Sequence, residues 1–101
     1  MKDEYVKLEL IKNEKESQFE MVVDGHTAII VYKESPGKIA LIHTEVPPVL
    51  EGKGVATAII EKALNYIEQN NLKLVPLCPV VVAYVKRHPG WKRIVDDGVK
   101  R

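Results

Sequence analysis

Apolar and charged residues alternate from Val6 to Ile11, with Val6, Leu8 and Leu10 set against Lys7 and Glu9. A period of two predicts a strand. The charged stretch Lys12 to Ser17 reads as a turn, and Gln18 to Val23 as a second strand with Phe19, Met21 and Val23 on one face. Asp24-Gly25 is a two-residue hairpin signal, because both central residues of a type I′ turn need positive φ. The chain then returns as His26 to Lys33, rich in β-branched side chains, turns at Ser35-Pro36-Gly37, and runs on as Lys38 to Val46. These segments predict an antiparallel meander.

Pro47-Pro48 ends the fourth strand, since proline cannot donate to a ladder. The period then changes. Val55, Ala56, Ile59, Ile60, Ala63, Leu64 and Ile67 fall on one helical face, with Glu61, Lys62, Asn65 and Glu68 opposite. Asn70-Asn71 closes that helix, and Leu72 to Leu77 predicts a fifth strand, parallel to the fourth through a right-handed crossover. Cys78-Pro79 opens a second helix over Val80 to Arg87, with Cys78 at the N-cap and proline where its missing N–H costs nothing. His88-Pro89-Gly90 stops it, and Trp91 to Arg101 reads as a mostly polar tail.

The 101 residues suit one domain, 1–101, with no internal repeat or linker. Fifteen basic against 14 acidic side chains give a net charge of +1, which argues against nucleic acid or an acidic membrane as partner. The one cysteine excludes an intrachain disulfide, and the three histidines lack metal-ligand spacing, so no metal is expected. No apolar run approaches the ~20 residues that span a bilayer. The N-terminal Met-Lys-Asp-Glu does not resemble a signal peptide, so a cytoplasmic location is the expectation.

The candidate chemistry begins at Gly52-Lys53-Gly54. Glycines at a strand-to-helix junction let the backbone turn sharply and approach a ligand. The helix that follows offers unpartnered N–H groups to an anion, a phosphate above all. A plain turn that needs glycine for geometry is the simpler alternative.

Antiparallel strands followed by strand, glycine loop, helix, strand and helix resemble the GNAT superfamily of acetyl-CoA-dependent N-acetyltransferases. Glu51-Gly52-Lys53-Gly54-Val55-Ala56 matches its phosphate loop, Gln/Arg-x-x-Gly-x-Gly/Ala, except at the first position. His43-Thr44-Glu45-Val46-Pro47, the glycine loop, Cys78, and Tyr84-Val85-Lys86-Arg87-His88-Pro89 resemble, in order, the blocks of the small single-domain GNAT-like subfamily over residues 5–91. The chain lacks the first helices, which carry substrate loops in longer members.

The resemblance implies a mixed α/β fold with splayed central strands. It implies acetyl-CoA as cosubstrate, contacted by Thr44, Val46, Gly52, Lys53, Gly54, Val55, Ala56 and Thr57. The acceptor would be an amine, on a small molecule or a protein lysine, and the protein a monomer or homodimer.

An amine of pKa ~10.4 is protonated at neutral pH, so transfer needs a base. His43, late in the fourth strand, is the candidate, with a satisfied sheet histidine as the alternative. Cys78 at a helix N-cap should have a lowered pKa. It is expected across the splay from His43, as an acetyl acceptor or as pocket lining, against the alternative of a small buried apolar residue. Tyr84 is the candidate acid for the departing thiolate, or else an aromatic packed on the sheet. Two rival functions stand beside the enzyme, a non-catalytic acyl-CoA-binding module and a protein-interaction module.

Overall fold

A computed structural model describes residues 3–98. Its elements are α1 (Asp3–Val6), β1 (Ile11–Asn13), β2 (Gln18–Val23), β3 (His26–Ser35), β4 (Lys38–Glu45), α2 (Val55–Gln69), β5 (Lys73–Pro76) and α3 (Pro79–Arg87), with 3-10 turns at Pro48–Leu50 and Pro89–Ile94. The five strands form one sheet in sequence order. β1 to β4 are antiparallel, and β5 joins β4 in parallel, Lys38 opposite Lys73 through Leu41 opposite Pro76. This is a mixed α/β GNAT-like fold.

One face of the sheet carries the core. Phe19, Met21, Ala28, Ile30, Ile39, Leu41 and Leu74 are fully buried there, in one cluster with Ile59, Ile60, Ala63, Leu64 and Ile67 of α2 and Val81 of α3. Each such aliphatic or aromatic side chain contributes roughly 1.5–3 kcal/mol by leaving water. The opposite face has no helix over it among the described residues: Val22 and Ile42 are exposed, Ile29 and Val31 half-buried.

Local signals are realised where their physics is local. Asp24 at φ +50 and Gly25 at φ +78 make the hairpin between paired Val23 and His26. α2 ends as Asn71 enters the left-handed region at φ +56, letting Leu72 N–H reach Ile67 O at 3.0 Å. Cys78, extended at φ −74 and ψ 125, is the N-cap residue of α3.

Two expectations fail. Val6 to Ile11 is not a strand. Tyr5, not Val6, is the buried anchor of this segment, and Leu8 N–H turns back to Tyr5 O at 3.0 Å. Leu8 and Leu10 still pack against the core, so the alternation reported burial without a partner strand, and pairing begins only at Ile11. The polar tail is the second. Pro89–Ile94 folds as a 3-10 turn, Ile94 and Val95 are buried, and Val95 bridges Leu74 at the edge of β5. The final part of that tail, residues 99–101, lies outside the described residues.

Candidate functional site

β4 and β5 part at Leu41. Its carbonyl accepts two consecutive amides, Leu77 N–H at 3.1 Å and Cys78 N–H at 2.9 Å. β4 continues to Glu45 while the segment after β5 leaves the sheet as α3. The splay is therefore built by one doubly used carbonyl.

At the same place β4 carries a bulge. Val31 pairs with His43 but Tyr32 pairs with Leu41, so Ile42 is one residue too many. An extra residue reverses which face later side chains occupy. Before the bulge Ile39 and Leu41 face the core. After it Thr44, opposite buried Ile30, takes that face, and His43, opposite Val31, takes the open one. His43 and Glu45 are exposed there, with Nε2 3.3 Å from Oε1.

The bulge separates the two leading candidates. Thr44 Oγ1 lies 3.4 Å from Cys78 Sγ, whereas His43 points to the other side of the sheet. Cys78 is 2 % exposed. Burial pushes its thiol up, but the Thr44 hydroxyl and the amides of Val81, Val80 and Thr44 outweigh this, so the thiol is held below its ordinary value. The N-cap expectation is thus met with a fuller set of causes, a side-chain hydroxyl as well as helix amides.

Val46, two residues beyond Thr44, shares a pocket with the glycine loop. A pocket of about 270 Å³ is lined by Val46, Leu50, Glu51, Gly52, Gly54, Val55, Ala56 and Thr57. Gly52 at φ +77 and Gly54 at φ +78 both occupy the left-handed region. The first intrahelical bond of α2 is Ala58 N–H to Gly54 O at 3.1 Å, and no side chain caps the helix. Val55, Ala56 and Thr57, whose amides precede that bond, line the pocket. Such a terminus favours an anion.

Cys78, Thr44, Val46 and the glycine loop therefore form one line from the splay to the helix terminus. Besides His43, two candidates stand off it. Lys53 lines a different cavity, with Glu4, Tyr5 and Asp24. Tyr84 is 4 % exposed in the core, its ring 4.4 Å from that of His88, and burial raises its pKa despite a hydrogen bond from Trp91. Sequence reasoning missed the Ile42 bulge and Tyr5, whose hydroxyl donates to Lys53 O at 2.8 Å. Ile39-Ala40-Leu41-Ile42 is a continuous apolar run, in which an extra residue does not show as a broken alternation.

Residues 18–94 match the family model described as GCN5-related N-acetyl-transferase. The chain belongs to this family. It is 32% identical over 78 residues to Protein NATD1 of Xenopus tropicalis, covering 74% of this chain and 72% of the relative. It is similar to Protein NATD1 of Gallus gallus, at 33% over 78 residues, covering 74% and 71%. Against Protein NATD1 of Danio rerio the figure is 28% over 86 residues, covering 82% and 78%.

Among the described residues no group of His, Cys, Asp and Glu is arranged to hold a metal, and no helix is long and apolar enough to cross a membrane.

Proposed function

We propose that this protein binds acetyl-CoA along the line from the glycine loop to Cys78 and transfers the acetyl group to an amine. The observation that carries the reading is the alignment of the splay at Leu41, the Thr44–Cys78 pair and the uncapped helix terminus on one side of β4. The pyrophosphate would meet the amides of Gly52 and Gly54 to Thr57, and the pantetheine arm would pass Val46 and Thr44 into the splay. Family membership supports the cosubstrate.

Thr44 and Cys78 close the helix side of the splay, so the acceptor approaches from the open face, where His43 and Glu45 stand. His43 takes a proton from the ammonium of the acceptor. The free amine attacks the thioester carbonyl, the C–S bond breaks, and the CoA thiolate leaves, taking up the proton that the acetylated nitrogen sheds.

Cys78 has a second available role. Its thiolate would attack the thioester, release CoA and pass acetyl to the amine. Thr44 and the amides of Val80 and Val81 lower the thiol's pKa against burial and so raise its thiolate fraction. His43 then serves the acceptor alone. The acceptor is a small-molecule amine or a protein lysine.

The test is calorimetric titration of the folded protein with acetyl-CoA, beside a Gly54→Asp control, followed by acetyl-transfer assays of His43→Ala and Cys78→Ala. Binding lost in the control, and transfer lost in His43→Ala with binding retained, are the expected results. A folded wild type without affinity for acetyl-CoA would overturn the reading. Binding of acetyl-CoA without transfer by the wild type would favour a non-catalytic acyl-CoA module, and transfer indifferent to both substitutions would remove His43 and Cys78 from the chemistry.

A further inference from the structure

The glycine loop separates two cavities. On one side lies the pocket lined by Val46, Gly52, Gly54 and the first turn of α2. On the other lies a polar cavity of about 260 Å³ lined by Glu4, Tyr5, Leu8, Val23, Asp24 and Lys53. Between them sits the peptide joining Lys53 to Gly54. Tyr5 reaches it from a point 48 positions earlier in the chain, donating its hydroxyl to Lys53 O at 2.8 Å.

Tyr5 is well placed to hold that peptide. Its ring is buried in the core, at 3 % exposure. Its own segment is tied down twice, by Leu8 N–H to Tyr5 O at 3.0 Å and by Lys62 Nζ, which donates to Val6 O at 3.2 Å from α2. The loop by contrast has a left-handed glycine on each side of Lys53. Glycine loses more conformational freedom on ordering than any other residue, so this loop has the most to gain from an external restraint.

Peptide geometry gives the bond a direction. In a trans peptide the carbonyl and the following N–H point opposite ways, and no described peptide is cis. Drawing Lys53 O towards Tyr5 therefore turns Gly54 N–H away from Tyr5, towards the glycine-lined side.

We propose that Tyr5 is a positioning residue for the anion site, its hydroxyl fixing the Lys53–Gly54 peptide plane so that Gly54 N–H faces an incoming pyrophosphate. The ligand in this statement rests on the acetyl-CoA reading above, while the restraint on the loop is a property of the free protein. α1 and its tyrosine are then a brace for the loop.

The experiment compares wild type with Tyr5→Phe, which keeps the ring and removes the hydroxyl. Amide hydrogen exchange is read at Glu51 and Ala58, the hydrogen-bonded amides that flank the loop, with core amides such as Ile30 as the reference for global stability. Affinity is read for acetyl-CoA and for acetyl-pantetheine, which lacks the pyrophosphate. The expected result is faster loop exchange with core exchange unchanged, and acetyl-CoA affinity reduced about fivefold to tenfold, the worth of one net hydrogen bond. Acetyl-pantetheine affinity should not move. In turnover, KM for acetyl-CoA rises and kcat stays.

Unchanged loop exchange overturns the proposal, and so does an equal loss for both ligands, which would report general loosening. If wild type binds no acetyl-CoA, the acetyl-CoA reading fails and with it the pyrophosphate assignment. The exchange comparison still decides separately whether Tyr5 restrains the loop.

Discussion

Thr44 Oγ1 and Cys78 Sγ lie 3.4 Å apart, tying the far end of β4 to the first residue before α3 just beyond the point where β4 and β5 separate. The contact spans the splay on its helix side, and it is among the interactions that hold the Cys78 thiol below its ordinary value against the opposing effect of burial. Structure and reactivity are coupled at one pair of atoms.

Replacing Thr44 with valine keeps the shape and removes the hydroxyl. Burial then goes less opposed, so the thiol pKa rises. At a fixed neutral pH the thiolate fraction falls, and alkylation of Cys78 slows severalfold, since the thiolate is the nucleophile. The pH–rate profile should keep its form and move to higher pH. A profile that does not move would show that the amides of Val80 and Val81 suffice without the hydroxyl.

Gly54 separates two ways in which glycine matters. A Cβ added there meets nothing within 4 Å, but the residue sits at φ +78. The cost of substitution is therefore backbone strain, about 1–2 kcal/mol for an ordinary L-residue in the left-handed region. Asparagine tolerates that region better than alanine. Urea unfolding should rank stability as wild type, then Gly54→Asn, then Gly54→Ala, although asparagine is the larger. The reverse order of the two variants would point to crowding instead.

How much of this was legible beforehand follows the range of the interactions. The Asp24-Gly25 hairpin, the extent of α2 and the Cys78-Pro79 helix start depend on neighbours a few residues away, and the sequence carries them openly. The bulge at Ile42 depends on how β3 and β4 register, which no single segment encodes, so the facing of His43 away from Cys78 was not visible. Tyr5 and Lys53 meet through tertiary packing across the domain. The family blocks named the candidate residues; register decided which of their side chains share a face of the sheet.

The segment after α3 offers a sharp contrast between sequence and packing. Its charged composition hid Ile94 and Val95, at 5 % exposure each, and Asp96 N–H bonds Leu74 O at 2.8 Å. Truncating a buried isoleucine to alanine costs about 2–5 kcal/mol, whereas the same change in a solvated tail is worth about 0.5 kcal/mol or less. Ile94→Ala should therefore lower urea-unfolding stability by about 2–4 kcal/mol. A loss below about 0.5 kcal/mol would return the segment to the tail the composition suggested.

Glu20 gives the fold a defined acid sensitivity. Its carboxylate accepts from Gln18 Nε2 at 2.7 Å and from Asn13 Nδ2 at 3.0 Å, bridging β1 and β2. The Gln18 bond, then the Asn13 bond, lower its pKa against a smaller opposing effect of burial. A carboxyl whose pKa is depressed on folding stabilises the native state fully above its unfolded pKa of about 4.3, and that contribution disappears as pH falls through the folded value. Glu20→Gln removes the charge while keeping the shape, and leaves an amide facing two amide donors. At pH 7 the variant should be less stable than wild type by roughly 0.5–1 kcal/mol, the figure for a charged hydrogen bond discounted for partial exposure. Urea unfolding repeated at falling pH should show this gap constant down to about pH 5 and then closing as wild-type Glu20 takes up its proton. A gap that persists unchanged at pH 3 would mean that the substitution acts through packing of the β1–β2 edge and that the carboxylate's charge contributes nothing.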